Sequence, residues 1–197
     1  SKKSGTAVHF ITATPSKELL KEVKNKSVIS TRFHGHPLPV ARFDSLWNYM
    51  KQIKKGKYPN KLKAWMEERM NNHEPFLIFF PTIELMEQAS SLFENIPSVH
   101  AEDPQRKDKV LMLRNKQVPG LLTTTILERG ITIENLQVAV VGTDESIFSS
   151  SALIQICGRV GRSSEFPTGD IVFFHHGISN EMDEAKYLIE EHNKVIK

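Results

Sequence analysis

Apolar residues recur along this chain in two periods, and these divide it into strands and helices. Phe76-Leu77-Ile78-Phe79-Phe80 is apolar without a break, as in a strand covered on both faces. Gln137 to Gly142 and Asp170 to Phe174 are strands of the same kind, and Pro119 to Thr125 is another. Between them the apolar positions fall at helical spacing. One helix follows Pro81-Thr82 to about Glu94, and one covers Gln105 to Asn115. A third starts at Ser149-Ser150-Ser151, which can cap it, and the last runs from Asn180 to the end. Ser98-Val99-His100 is at most a brief strand. Strands alternating with helices predict an α/β fold, a parallel sheet with helices on both faces.

Upstream of Pro75 the pattern changes. Ala7 to Ile11 and Val28 to Arg32 are strand-like, and a helix starts after Ser16. Two prolines and a glycine make Phe33 to Pro39 an extended linker. Asp44 is placed to cap a helix whose apolar positions are Leu46, Trp47, Met50 and Ile53. Gly56 and Pro59 stop it, and Leu62, Trp65, Met66 and Met70 mark a second helix. Lys51, Lys54, Lys55, Lys57, Lys61 and Lys63 make this hairpin basic. Such clusters are usually solvated helix faces. The other reading is a nucleic-acid track with Trp47 and Trp65 as stacking platforms, although their spacing favours the core.

Composition narrows the class. With 39% hydrophobic and 25% charged residues the chain suits a globular domain. No apolar run approaches the roughly 18 residues of a membrane span, and no signal peptide is visible at the start. The single cysteine, Cys157, excludes an internal disulfide and a Cys-rich zinc site. It lies in an apolar run, reads as a small core residue, and fits a reducing cytoplasm. A net charge of +3 and a pI near 8.9 are compatible with a polyanionic partner without requiring one. The opening Ser1-Lys2-Lys3-Ser4-Gly5 leads straight into a strand, as in a piece of a longer protein.

The most distinctive chemistry lies in Gln155-Ile156-Cys157-Gly158-Arg159-Val160-Gly161-Arg162. Leu153, Ile154, Ile156, Cys157 and Val160 predict a short buried helix. On a helix, Gln155, Arg159 and Arg162 are spaced i, i+4, i+7 and share one stripe. A carboxamide and two guanidiniums at one surface suit phosphate. Gly158 and Gly161 would each cost about 1 kcal/mol inside a helix. They permit close backbone approach, or they simply end an exposed basic helix. Thr123-Thr124-Thr125 closes a strand, where open parallel sheets bind ligands; threonines are also good strand formers that need no ligand. Thr82 is a similar, weaker case. No G-x-x-x-x-G-K-[ST] loop occurs anywhere. Thr143-Asp144-Glu145 imitates a Mg²⁺-holding acidic pair but reads as a solvated turn. His175-His176, His34 and His36 read as ordinary histidines, so no metal site is expected. Phosphate-binding arginines without a phosphate-cradling loop usually act on a nucleotide held by another domain.

These residues carry a resemblance. Gln155 to Arg162 resembles motif VI (Q-x-x-G-R-x-G-R) of the superfamily 2 helicases. Thr123-Thr124-Thr125 through Glu128-Arg129-Gly130 is similar to motif V, Phe79-Phe80-Pro81-Thr82 to motif IV and Thr12-Ala13-Thr14-Pro15 to motif III. They occur in family order. Within the superfamily, Leu121 to Ile133, Ser98 to Pro104 and Pro167 to Gly177 resemble the ComFA-like competence ATPases of DNA uptake. Replication-restart helicases of the PriA type are more distant, and a non-catalytic RecA-like interaction module is a further alternative.

The resemblance implies a second RecA-like domain over 75–197. Residues 1–34 would be the tail of a first such domain, and 35–74 a basic helical hairpin or linker. It further implies ATP-driven translocation on single-stranded DNA, with ATP and Mg²⁺ held mainly by the preceding domain. Gln155, Arg159 and Arg162 would reach the γ-phosphate, with Gly130, Gly158 and Gly161 lining the nucleotide side. Thr82, Thr124 and Thr125 would touch the DNA backbone, and Thr12 and Thr14 would couple the two events. Thr132 stands where many DEAD-box proteins carry a ribose-contacting acid. Zinc belongs only to a region further upstream in this family. Implied partners are single-stranded DNA, a membrane DNA-uptake channel and other competence proteins, at the inner face of the membrane without insertion. This chain alone, without Walker motifs, is expected to be inactive.

Overall fold

The computed structural model describes residues 35–124 and 132–196. Among the described residues six strands form one sheet in the order β1-β6-β5-β2-β4-β3. They are β1 (Arg42–Ser45), β2 (Phe76–Phe79), β3 (Ser98–Val99), β4 (Gly120–Thr123), β5 (Gln137–Val141) and β6 (Ile171–His175). Every pairing is parallel, so all the carboxyl ends share one edge. The helices are α1 (Tyr49–Lys54), α2 (Asn60–Asn71), α3 (Ile83–Ser90), α4 (Arg106–Arg114), α5 (Ser150–Cys157) and α6 (Asn180–Val195).

The unbroken apolar strands are explained by coverage on both sides. Phe76, Ile78 and Phe80 join Ala139, Val141, Val172 and Phe174 under α1, α2 and α3. Leu77, Phe79, Val138, Val140, Ile171 and Phe173 face the other way, under α4, α5 and α6. Three helices begin at a hydroxyl cap: Thr82, Ser149 and Ser179 accept hydrogen bonds from the backbone N–H of Leu85, Ala152 and Met182, at 3.2, 3.1 and 3.2 Å. Each cap satisfies a donor that the first turn leaves unpaired.

Two features upstream of Pro75 differ from the sequence pattern. Residues 35–74 do not form only a hairpin and linker: Arg42–Ser45 is an edge strand of the sheet, paired with β6 from Arg42 opposite Val172 to Ser45 opposite His175. Its sequence, RFDS, is polar because an edge strand is covered incompletely. Asp44 therefore caps no helix; it accepts from Lys61 Nζ at 2.7 Å. Helix α1 begins later, after Asn48 in the left-handed conformation (φ 57°), which rotates its buried side onto Tyr49 and Ile53. Trp65 is in the core as its spacing predicts, but Trp47 is 60% exposed.

Candidate functional site

Helix α5 follows β5 and is capped by Ser149 at the carboxyl edge of the sheet. It is shorter than the apolar run suggested and ends at Cys157, with Gly158 as its C-cap. The chain then continues in tight turns: Arg159 N–H donates to Ile156 C=O and Val160 N–H to Cys157 C=O, both at 3.1 Å. Gly161 adopts φ 66°, a left-handed turn that other residues enter at a cost. Gln155, Arg159 and Arg162 thus do not form one helical stripe. Gln155 lies on the helix, half-buried; Arg159 is half-buried in the turn beyond it; Arg162 is exposed past Gly161. The glycines end the helix, which is the second of the two roles their positions allowed. Gly158 has φ −65°, and a Cβ there would meet nothing closer than 3.4 Å, so close packing is not its reason.

The ends of the sheet separate the candidate residues. A Cβ on Gly169 would fall 2.5 Å from Val160 Cγ1 and 2.8 Å from the Leu136 carbonyl. Leu136 immediately precedes β5, so the segment after α5 lies at the amino edge of the sheet. The hydroxyl residues lie at the opposite edge. Phe79 pairs with Thr123 and Phe80 N–H donates to Thr123 C=O at 2.8 Å, which brings the ends of β2 and β4 together. Thr123 is buried, Thr124 half-buried and Thr82 exposed. The Thr82 hydroxyl also caps α3, so its side-chain direction is fixed. Thr12, Thr14, Thr125 and Gly130 lie outside the described residues.

The remaining chemistry at the carboxyl edge is tied down. Thr143 Oγ1 is 3.1 Å from the carbonyls of both Val140 and Phe174. Asp144 accepts from the His176 N–H at 2.9 Å, and Glu145 accepts from the Tyr49 hydroxyl at 3.4 Å. Burial, then the charges of Glu145 and Asp144, push the Tyr49 phenol upward, so it remains a donor. These acids form an anchored turn. Among the described residues no group of three or more His, Cys, Asp or Glu could hold a metal ion. Cys157 is buried, and burial pushes its thiol up to about 12.

Motif order and the parallel sheet agree with one family. The signature of the helicase conserved C-terminal domain matches residues 59–164, from just before α2 to two residues beyond Arg162. The chain belongs to this family. It is similar to Competence protein ComFA of Bacillus subtilis, with 40% identity over 202 aligned positions, 98% of this chain and 43% of the relative. The Streptococcus pneumoniae protein of the same name is 35% identical over 195 positions, 94% of this chain and 45% of the relative. The chain therefore spans less than half the length of either. Among solved structures, domain 2 of the DEAD-box helicase Mss116p bound to an RNA duplex aligns with TM-score 0.52 and 19% identity, covering 81% of this chain and 61% of that one. Dbp5 of S. cerevisiae bound to RNA and ADP BeF3 aligns with TM-score 0.51 and 17% identity, covering 94% and 49%. These two establish the fold as that of a helicase C-terminal RecA-like domain.

Two contacts of this helicase domain join residues far apart in the sequence. Exposed Trp47 meets His176 edge-on, with ring centroids 4.4 Å apart. Asp170 gathers Arg42, at 3.0 Å to each carboxylate oxygen, and Trp65 Nε1, at 2.8 Å. The basic run between Ser45 and Met66 raised Trp47 as a candidate stacking surface without pointing to His176; nothing local marks the Asp170 cluster. Among the described residues no helix is long and apolar enough to cross a membrane.

Proposed function

We propose that this chain is the second RecA-like half of an ATP-driven translocase on single-stranded DNA, working in DNA uptake at the inner face of the membrane. The competence relatives support the biological setting, and the family match supports motor chemistry. The observation that carries the mechanism is the separation of surfaces: Thr82 and Thr124 at the carboxyl edge, Arg159 and Arg162 beyond α5 toward the amino edge.

In this reading ATP and Mg²⁺ are bound mainly by a preceding RecA-like domain over a cleft. Charge develops on the γ-phosphoryl group as it is transferred, and a guanidinium aimed at that group stabilises it. Arg159 and Arg162 supply the guanidiniums and Gln155 a carboxamide. Gly161 lets the backbone turn so that Arg162 leaves the helix line, and Gly130 and Gly158 belong to the same nucleotide side. Thr82, Thr124 and Thr125 donate hydroxyl hydrogen bonds to backbone phosphates of the strand, contacts that carry no sequence information. Thr12 and Thr14 transmit the nucleotide state between the halves. A membrane channel and other competence proteins are the partners.

The test uses the full-length protein. Arg159→Lys and Arg162→Lys should each lower DNA-stimulated ATPase by at least about 10²-fold, a discount on the 10³ to 10⁵ of an arginine finger, because a point charge does not reproduce the guanidinium fork. Nucleotide-free binding to single strands should hold. Near-normal turnover in both variants would refute the role of this segment. Abolished DNA binding with intact turnover would mean that it faces DNA.

A further inference from the structure

Trp47 has no place in the core, yet it is held firmly. Its carbonyl accepts from Gln52 Nε2 at 3.1 Å, and its ring meets His176 at an interplanar angle of 88°. The His176 backbone is fixed in turn by Asp144. An exposed indole fixed in this way is a preorganised surface, and ordering it further on binding costs little.

Its position is at the carboxyl edge. Trp47 follows β1 and His176 follows β6, the two strands at one end of the order β1-β6-β5-β2-β4-β3. Three inter-strand spacings separate β1 from β2, about 14 Å at about 4.8 Å each. Trp47 therefore shares an edge with Thr82 and Thr124, within the span of a single-strand site of roughly 4–16 nucleotides.

The charge around it selects the occupant. From Ser45 to Met66 the chain carries six lysines and neither Asp nor Glu. Lys61 is paired with Asp44 at 2.7 Å and Lys63 lies 3.9 Å from Glu67. Lys51, Lys54, Lys55 and Lys57 are exposed. The nearby acids Asp144 and Glu145 are engaged by the His176 N–H and the Tyr49 hydroxyl. Ile147 and Ile178 are also exposed, in the turns after β5 and β6. A protein partner would suit an apolar shelf alone; an aromatic platform beside lysines suits a polyanion with stackable faces.

We propose that Trp47, backed by His176 and flanked by the α1 lysines, is a base-stacking platform for single-stranded DNA, extending the path from the β2 and β4 ends toward β1. This rests on the single-strand reading above and adds an interaction outside the helicase motifs.

The test titrates the chain with oligothymidylate by anisotropy, following indole emission in parallel. Trp47→Ala should weaken binding about tenfold, within the range of one missing base stack. Trp47→Phe should restore most of the affinity, and neither should change the salt dependence. Lys54→Gln and Lys55→Gln should lower the salt slope, by about 0.7 for each phosphate that is no longer neutralised. DNA should quench indole emission in the parent chain and not in Trp47→Phe, where only buried Trp65 remains. Unchanged affinity and no quenching, with Thr82→Val or Thr124→Val still weakening the complex, would overturn the platform and leave the proposed function standing. No binding by the parent chain would overturn both.

Discussion

The indole Nε1 of Trp65 donates to Oδ2 of Asp170 across 2.8 Å, joining α2 to the start of β6. The same carboxylate receives the two-pronged guanidinium of Arg42 from β1, with Arg69 Nη1 at 3.9 Å. Burial opposes the charge on Asp170, but the Arg42 and Trp65 hydrogen bonds and the charges of Arg42 and Arg69 outweigh it, holding the carboxyl below its ordinary range. A depressed carboxyl stabilises the fold above the unfolded value near 3.9 and loses that contribution as the pH falls through the folded value. Asp170→Asn should cost about 2 kcal/mol at pH 7. In urea titrations its deficit should shrink as the pH drops through the acid range. A deficit independent of pH would contradict the charge-based account. Trp65→Phe, keeping the edge packing on Phe76 but removing the donor, should cost about 1–2 kcal/mol.

The two motif glycines should behave differently. Gly158 sits at helical φ with ordinary space for a methyl group, so Gly158→Ala should change stability by less than about 0.5 kcal/mol. Gly161→Ala, at φ 66°, should cost about 1–2 kcal/mol and, in the full-length protein, reduce ATPase by moving Arg162. Thermal melts with turnover assays separate the two effects; equal costs at both positions would count against the turn assignment.

Cys157 should be inert while the domain is folded. Burial pushes its thiol up, so almost none of it is thiolate near neutral pH, and the sulfur itself is inaccessible. Labelling with a thiol reagent should follow unfolding across a urea series. Stoichiometric modification in buffer, with the melting temperature unchanged, would contradict this burial.

The chain alone should show no DNA-stimulated ATPase, since it lacks the phosphate-cradling loop. Its affinity for single strands should fall about 20- to 50-fold between 50 and 200 mM salt if three to four phosphates are contacted. Salt-independent nanomolar binding would contradict a phosphate-led interface and shift weight onto stacking at Trp47.

What could be read from the sequence was what local pattern controls. β2, β5 and β6 are covered on both faces, so their apolar runs were unambiguous, and the hydroxyl cap of α5 was visible in the serine cluster at Ser149; that Thr82 caps α3 was not read from the sequence, where Thr82 stood only as a ligand-contacting hydroxyl. β1 was hidden because its pairing with β6 is a long-range event and RFDS has no local strand signature. The Trp47 error came from phase: Asn48 in the left-handed region delays α1, so spacing that implied one buried side brought Tyr49 inward instead. The motif VI residues were visible by their types, but their supposed common stripe was not real. A helical projection cannot anticipate that Gly158 ends the helix and Gly161 turns the chain.

The pairing of β1 with β6 also orders events during synthesis. Arg42 and Asp170 are 128 residues apart in sequence, and β1 has β6 as its neighbour in the sheet. The early strand therefore waits on the ribosome until nearly all of the domain has emerged, holding an open edge that other chains can pair with. Closing so long a loop is slow, which makes α2, already packed on Phe76 through Trp65, the nearest available shelter for β1. Truncation before Ile171 would leave β1 permanently unpaired, and such a product should aggregate instead of folding as a smaller sheet.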